Sequence, residues 1–297
     1  MKQISKFIAI LLLSSSSAMV AQSDDDATGM PGDQFSLEGA LEMFKKAASP
    51  EEFEKMINTE GNHVNNLDLN GDGDIDYIKV LDKMDGDVHA IVLQVAVSAD
   101  ENQDIAVIEI EKDGKESAVL QIIGDEEIYG ESVIVEPNGD DADMKKKGPS
   151  MYSEDDALVV NVWLWPSVRF VYAPVYRPWI SPYRWAFYPV WWRPWHPLAW
   201  SVFHPFRVGF HVGYAFSPVH RVVRAHRVYT PIRATSVTVT TRNRTAKNNY
   251  QVTHKRTTVD VQRGNHEVRA THSSTTVKGP KGNKVKTSHT KVRTGRH

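Results

Sequence analysis

The charged residues of this chain are segregated between its two parts. Residues 1–156 contain 35 Asp and Glu residues and 12 lysines, a formal charge of −23. Residues 157–297 contain 23 Lys and Arg residues and two acidic ones, a formal charge of +21, together with all eight tryptophans. The overall charge of −2 therefore describes neither part. Since opposite charges attract, we expect residues 33–137 to mask the basic part, with an association that high salt disrupts.

The first 21 residues have the pattern of a cleavable export signal. Lys2 and Lys6 precede an apolar run at Phe7–Leu13, and small residues lead to Ala21. The run is too short for a bilayer, which takes about 20 apolar residues to span. The absence of cysteine excludes disulfides and a lipoprotein anchor. We expect a signal peptide at 1–21, an acidic linker at 22–34, and a protein that is periplasmic, outer-membrane-associated or extracellular.

Residues 35–137 predict a domain of the α+β class. Apolar residues recur with helical spacing from Leu37 to Phe44, and Ser49–Glu52 is a capping box that begins a second helix. We predict two short helices packed on one face of an antiparallel β-meander. The five strands are expected in the apolar runs at 77–81, 88–97, 105–110, 119–123 and 132–135.

The most specific motif lies between the predicted helices and strands, in the sequence DLNGDGDID at 68–76. Oxygen-bearing side chains at loop positions 1, 3, 5 and 9 can converge on a hard cation, and glycine at position 6 permits the sharp turn. Carboxylates packed this closely repel one another unless a cation lies among them. We predict a structural Ca²⁺ site, the alternative being an acidic turn without metal. The predicted ligands are the side chains of Asp68, Asn70, Asp72 and Asp76 and the carbonyl of Asp74.

This motif resembles the Asp-x-Asn-x-Asp-Gly calcium loops of EF-hands, dockerins and the FG-GAP repeats of integrin-like propellers, over residues 68–77 alone. Position 12, a glutamate in an EF-hand, is Lys79 here. The resemblance to the FG-GAP type therefore implies that the loop continues into a strand and that Asp76 takes a larger share of the ion. Ile75 is expected in the core beneath the loop. The layout of the whole chain is loosely similar to uncharacterised exported proteins of Gram-negative bacteria, which implies no activity.

A polar linker at 138–157 precedes a Trp/Arg/Pro-rich segment at 158–232. Eight prolines between positions 166 and 205 exclude a long helix, and any central strand after an opening one at 158–165. Three interpretations remain open: an aromatic layer on the first domain, an interfacial segment on an anionic membrane, and a stacking platform for glycan or single-stranded nucleic acid. The candidate surface-binding residues are Arg177, Trp179, Arg184, Trp185, Trp191, Trp192, Arg193 and Trp195.

Residues 233–297 are rich in Thr, Lys, Arg and His and have few large apolar side chains. The alternation at Ser236–Thr240 indicates a strand and allows one or two hairpins. Most of this region is nevertheless expected to be a flexible, largely disordered basic tail that binds polyanions non-specifically. Ten of the 12 histidines follow residue 195. Their spacing fits neither one helix turn nor a zinc-protease motif, so it does not predict a metal site.

These features favour an exported, non-enzymatic protein of the cell envelope. Its basic aromatic part is expected to associate with an anionic membrane surface or lipopolysaccharide, whereas sequence-specific binding of nucleic acid is not expected. The alternative is an exported hydrolase or a polyanion- or glycan-binding protein that uses the aromatic segment as a substrate platform. Against a hydrolase, the sequence has no Gly-x-Ser-x-Gly, Walker-type or His-Glu-x-x-His motif, and no spacing singles out a carboxylate pair.

Overall fold

The computed structural model of the protein describes residues 27–138 and 159–249, together with three strands between residues 251 and 296. The predicted signal peptide lies outside the described residues. So do residues 22–26 of the first predicted linker and residues 139–157 of the second.

A six-stranded antiparallel meander forms the centre of the fold, and each strand pairs with its neighbour in the sequence. The first five strands correspond to the five apolar runs, so the predicted α+β fold with a meander is confirmed. The sixth strand comes from the basic part and was not predicted. The strands are β1 (Ile78–Asp85), β2 (Val88–Ala96), β3 (Asn102–Gly114), β4 (Ser117–Gly124), β5 (Val133–Pro137) and β6 (Tyr214–Phe216).

Two helices, α1 (Leu37–Lys46) and α2 (Pro50–Ile57), pack on the first face of the sheet, as predicted. The hydroxyl of Ser36 accepts a hydrogen bond from the amide of Gly39 at 2.9 Å and so caps α1. Ser49 caps α2 in the same way. This layer begins earlier than expected. The end of the predicted acidic linker forms a 3₁₀ turn at Pro31–Gln34, in which Gly32 and Asp33 are buried.

The second face of the sheet is also covered. Along β2, Ile91 and Leu93 point into the core under α1 and α2, whereas Ala90 and Val92 point to the other side. There they meet a helix of the basic part, which also places Tyr229 in this second core. Burial on both faces explains why consecutive residues in the middle of β2, at 90–93, are all apolar instead of alternating with polar ones.

Four further helices connect or cover these strands: α3 (Glu126–Tyr129), α4 (Pro166–Val171), α5 (Trp200–Gly209) and α6 (Val223–Tyr229), the last being the helix on the second face. The opening strand expected at 158–165 does not form over the described residues 159–165. The reason is local, since the side-chain oxygen of Asn161 accepts hydrogen bonds from the amides of Ala118 and Trp163 and turns the chain. Among the described helices, none is long and apolar enough to cross a membrane.

Within the region predicted to be a largely disordered basic tail, the described residues from 233 onward include a helix and three strands. Helix α7 (Val237–Asn249) is followed by a three-stranded antiparallel sheet of β7 (Gln251–Arg263), β8 (His266–Lys278) and β9 (Lys284–Arg296). The strand expected at Ser236–Thr240 is instead the start of α7. The Ser236 amide donates to the side chain of Gln103, and its hydroxyl accepts from the amide of Val239, so contacts with β3 override the local alternation.

Candidate functional site

The predicted calcium loop has oxygen ligands, but in this structure they accept hydrogen bonds from the loop itself. The two carboxylate oxygens of Asp68 accept from the amides of Gly71, at 2.5 Å, and Gly73, at 3.1 Å. Asp72 accepts from the amide of Asp74. Both glycines have positive φ angles, +72° and +90°, so the sharp turns depend on glycine. The donor set is entirely oxygen and fits Ca²⁺.

Asp76 is the most constrained of these side chains. It is buried, and one of its carboxylate oxygens accepts from the amide of Leu69 at 2.5 Å. Burial, with smaller contributions from the charges of Asp68 and Asp72, raises the pKa of Asp76 to about 7, although the hydrogen bond from the Leu69 amide opposes this shift. The loop therefore carries an electrostatic cost that a bound cation would relieve. Ile75 is buried beneath the loop, as predicted.

The side chain of Lys79, at loop position 12, does not point into the loop. The ammonium group of Lys79 donates to the side-chain oxygen of Asn102 at 2.8 Å, on β3. Nitrogen-bearing side chains of the basic part approach the loop instead. Arg242 donates to the carbonyl of Leu69 at 3.2 Å, and Nδ1 of His196 lies 2.8 Å from the Gly73 carbonyl. The loop is thus also a contact between the acidic and basic parts.

The carboxylate of Glu54, on α2, attaches the aromatic segment to the first domain. Its Oε1 accepts from the hydroxyls of Tyr77 at 2.7 Å and Ser181 at 2.8 Å. Its Oε2 accepts from the indole of Trp179 at 3.1 Å and the amide of Val80 at 3.0 Å. Burial raises the pKa of Glu54, an effect that the four hydrogen bonds oppose.

Above Glu54, the ring of Tyr77 is surrounded by aromatic residues of the basic part. Its centroid lies 5.2 Å from that of Trp192, 5.6 Å from Tyr183 and 5.8 Å from Tyr188. Trp192 is only 5% exposed, so it belongs to the core of this cluster and differs from its expected role on the surface. The packed-layer interpretation therefore describes the inner side of the segment.

Residues 175–195 are called the aromatic platform, and the side of the platform that faces solvent is its outer side. Its predicted arginines, Arg177, Arg184 and Arg193, are all exposed. Trp191 is 44% exposed, and the predicted residues Trp179, Trp185 and Trp195 are half-buried. Large apolar side chains of the platform also face solvent: Val175, Ile180, Phe187 and Val190.

Charged groups of the two parts pair directly at several places. These ion pairs are Arg221–Glu136 at 3.2 Å, Arg224–Glu111 at 2.8 Å, Arg233–Asp125 at 2.6 Å and Lys247–Glu127 at 2.6 Å. Glu111 and Glu136 lie on the sheet, Glu127 lies on α3, and Asp125 is the N-cap residue of α3. The basic residues used here are distinct from those exposed on the platform.

A cluster that sequence analysis did not predict joins β3 to α6. Glu109 is fully buried, and its two oxygens each lie 2.7 Å from a histidine nitrogen, Nε2 of His220 and Nδ1 of His226. Burial raises the pKa of Glu109 to about 9, with a smaller contribution from the charge of Glu111. Burial also lowers the pKa of both histidines. The available signal was a glutamate in the middle of an apolar strand, since buried charges are normally paired.

A buried histidine–aspartate pair lies on the sheet, where His89 of β2 contacts the rings of Tyr172 and Tyr176, just beyond α4. Nδ1 of His89 is 2.8 Å from Oδ2 of Asp82, which also accepts from the hydroxyl of Tyr176. Both members of the pair are buried, so a polymeric substrate cannot reach them.

No family model matches the chain, and comparisons with curated proteins and with solved structures find no match either. A functional conclusion therefore depends on the geometry of these sites.

Proposed function

We propose that this protein is an exported, non-enzymatic component of the cell envelope that binds an anionic surface, membrane lipid or lipopolysaccharide, through the aromatic platform. The observation that carries the proposal is the composition of the platform's outer side, where Arg177, Arg184 and Arg193 are exposed beside exposed apolar side chains. The chain has no acidic residue between 157 and 259, so repulsion from nearby carboxylates on this segment is absent.

Two separable contributions support binding. Each arginine near a negatively charged surface contributes about 1 kcal/mol, and salt weakens this attraction. Trp191 and the exposed valines add a contribution that salt does not screen, because they leave water at the headgroup boundary. The hydrogen bonds that Glu54 accepts from Trp179 and Ser181 hold the inner side of the platform, so little conformational entropy is lost when its outer side binds.

We also propose that the loop at 68–76 binds Ca²⁺ in a structural role. The all-oxygen donor set and the mutual repulsion of its carboxylates support this assignment. The loop lies against the platform, since the amide of Ile75 donates to the carbonyl of Trp195 at 2.8 Å. Calcium would thus stabilise the surface on which the platform rests.

Vesicle binding tests the platform. We expect the protein to sediment with vesicles of phosphatidylglycerol, and with lipopolysaccharide, but not with phosphatidylcholine. The double substitution Arg184→Gln and Arg193→Gln should weaken binding several-fold at low salt. The matched control, Lys83→Gln and Lys115→Gln, removes the same charge from exposed positions on β1 and in the turn between β3 and β4, and should bind normally. Equal losses in both variants would contradict a role for the platform, and binding to neutral glycan instead would favour the substrate-platform alternative.

Thermal denaturation tests the calcium loop. Millimolar Ca²⁺ should raise the melting temperature, because an ion that binds the native state alone stabilises it by RT ln(1 + [L]/Kd). Asp72→Ala should abolish the increase, whereas Asp87→Ala, an exposed aspartate outside the loop, should retain it. Identical melting curves of the wild-type protein in calcium and in chelator would refute the assignment.

A further inference from the structure

We propose that Glu109, His220 and His226 form a binding site for a divalent transition-metal ion of the Zn²⁺ type. One carboxylate oxygen and one nitrogen from each histidine all lie within 4.8 Å of one another. The two imidazole rings are 4.6 Å apart between centroids. This site shares no residue with the calcium loop or the platform, so it is independent of the function proposed above.

The donor types and their spacing fit this class of ion. Two imidazoles and a carboxylate are a common set for zinc in proteins, with metal–ligand distances of about 2.0–2.2 Å. In a tetrahedral complex such ligand atoms are roughly 3.3 Å apart, which follows from those bond lengths. A small movement of the two histidines would suffice, and three protein ligands leave a fourth position for water.

The burial of the three ligands also suits a metal site. The Glu109 side chain is fully buried, whereas the side chains of His220 and His226 are 26% and 40% exposed. An ion can therefore enter from the side of the histidines and meet an anchored carboxylate. The arginines near the histidines in sequence do not compete for this carboxylate, since Arg221 pairs with Glu136 and Arg224 with Glu111.

A metal ion here would join distant parts of the chain. Glu109 lies on β3, at the centre of the sheet, and His226 lies on α6, which covers the second face. Without metal, each histidine already bonds to Glu109, so the site is largely formed before an ion arrives. Binding would displace the protons shared in these two hydrogen bonds and strengthen the attachment of α6.

Titration of the whole chain, purified in chelator and then dialysed, tests the proposal with Co²⁺ and Zn²⁺ as probes. We expect one equivalent of Co²⁺ to give the visible absorption of a tetrahedral complex, Zn²⁺ to displace it, and Zn²⁺ to raise the melting temperature. Glu109→Gln and, separately, His220→Asn should weaken Zn²⁺ binding by at least about tenfold, since even outer-sphere partners of a metal contribute that much.

His211→Asn provides the matched control. His211 also faces a glutamate, Glu38, at 3.6 Å, but among the described residues no third ligand completes a site there. This variant should bind Zn²⁺ as the wild-type chain does. Circular dichroism without metal checks the fold of each variant, and the half-exposed His220 keeps the test valid if Glu109→Gln fails to fold. Absence of stoichiometric binding, or binding that both site variants retain, would overturn the proposal and leave a hydrogen-bonded cluster only.

Discussion

The substitution Glu54→Ala tests how the aromatic segment is attached to the first domain. It removes the acceptor for four donors: the hydroxyls of Tyr77 and Ser181, the indole of Trp179 and the amide of Val80. A buried donor that loses its partner costs about 1–3 kcal/mol. Water that enters the vacated space can restore some of these hydrogen bonds. We therefore expect a net loss of about 3–5 kcal/mol, below the sum over four donors, as for other disrupted buried polar groups.

Glu54→Gln should be far milder, because its amide can satisfy the same donors. The carbonyl oxygen can accept from the Val80 amide and the Trp179 indole. The amide NH₂ can donate to the hydroxyls of Tyr77 and Ser181, which rotate and accept as readily as they donate. The raised pKa of Glu54 points the same way, since burial disfavours its charged form. We expect a cost of about 1 kcal/mol, the usual scale for one altered hydrogen bond.

Urea denaturation followed by tryptophan fluorescence and by circular dichroism measures both variants. All eight tryptophans lie between residues 163 and 200, so fluorescence reports on the aromatic segment and circular dichroism on the whole fold. The control is Glu51→Ala, an exposed position on the same helix, which should change stability by less than about 0.5 kcal/mol. A Glu54→Ala variant as stable as the control, or a Glu54→Gln variant as damaged as Glu54→Ala, would refute this reasoning.

Three further predictions concern the loop, the platform and the start of α7. Folding raises the pKa of Asp76 from 3.8 to about 7, so the stability from its protonated form is complete below pH 4 and is lost as the pH rises through 7. Calcium should therefore raise the melting temperature more at pH 8 than at pH 5, and equal increases would contradict this linkage. Trp192→Ala should destabilise the protein by about 3–5 kcal/mol in urea, whereas Trp191→Ala should cost much less and selectively reduce binding to anionic vesicles. Ser236→Ala should cost about 1 kcal/mol through loss of the helix cap, with a urea midpoint equal to wild type as the contrary result.

The elements that were predicted from the sequence are those that local chemistry specifies. Helices α1 and α2 have serine caps and a one-sided apolar stripe, and the strands of the meander are apolar runs separated by turn residues. The prediction of a calcium loop likewise depends on the spacing of residues within nine positions, and the ion itself stays a prediction. Each of these signals lies within a short stretch of chain, where sequence and structure are directly related.

The elements that were missed are specified by distant parts of the chain. Strand β6 is three residues long and forms because the edge of β5 is available to pair with it. Helix α7 replaces an expected strand because Gln103 fixes the position of Ser236. The cluster at Glu109 joins residues 111 and 117 positions apart, so no spacing rule could connect them. The sequence of β2 did contain a signal for the layer on the second face. Its consecutive apolar residues at 90–93 point to both sides of the sheet, so both faces need a cover.

The joint between the acidic and basic parts does not depend on charge alone. Ion pairs such as Arg221–Glu136 lie partly in solvent and weaken with salt. The apolar contacts do not: α4 contributes Val168 to the first core and α6 contributes Ala225 to the second, and buried apolar surface stabilises by about 25 cal/mol per Å² at any ionic strength. Strand β6 adds main-chain hydrogen bonds to β5. High salt should therefore weaken only the ion pairs, which contribute the smaller part of the free energy that holds the basic part on the sheet. Contrary to the expectation from charge, the basic part should therefore stay on the sheet at high salt. Its release would expose the apolar second face of the sheet and the unpaired edge of β5, the kind of surface at which proteins aggregate.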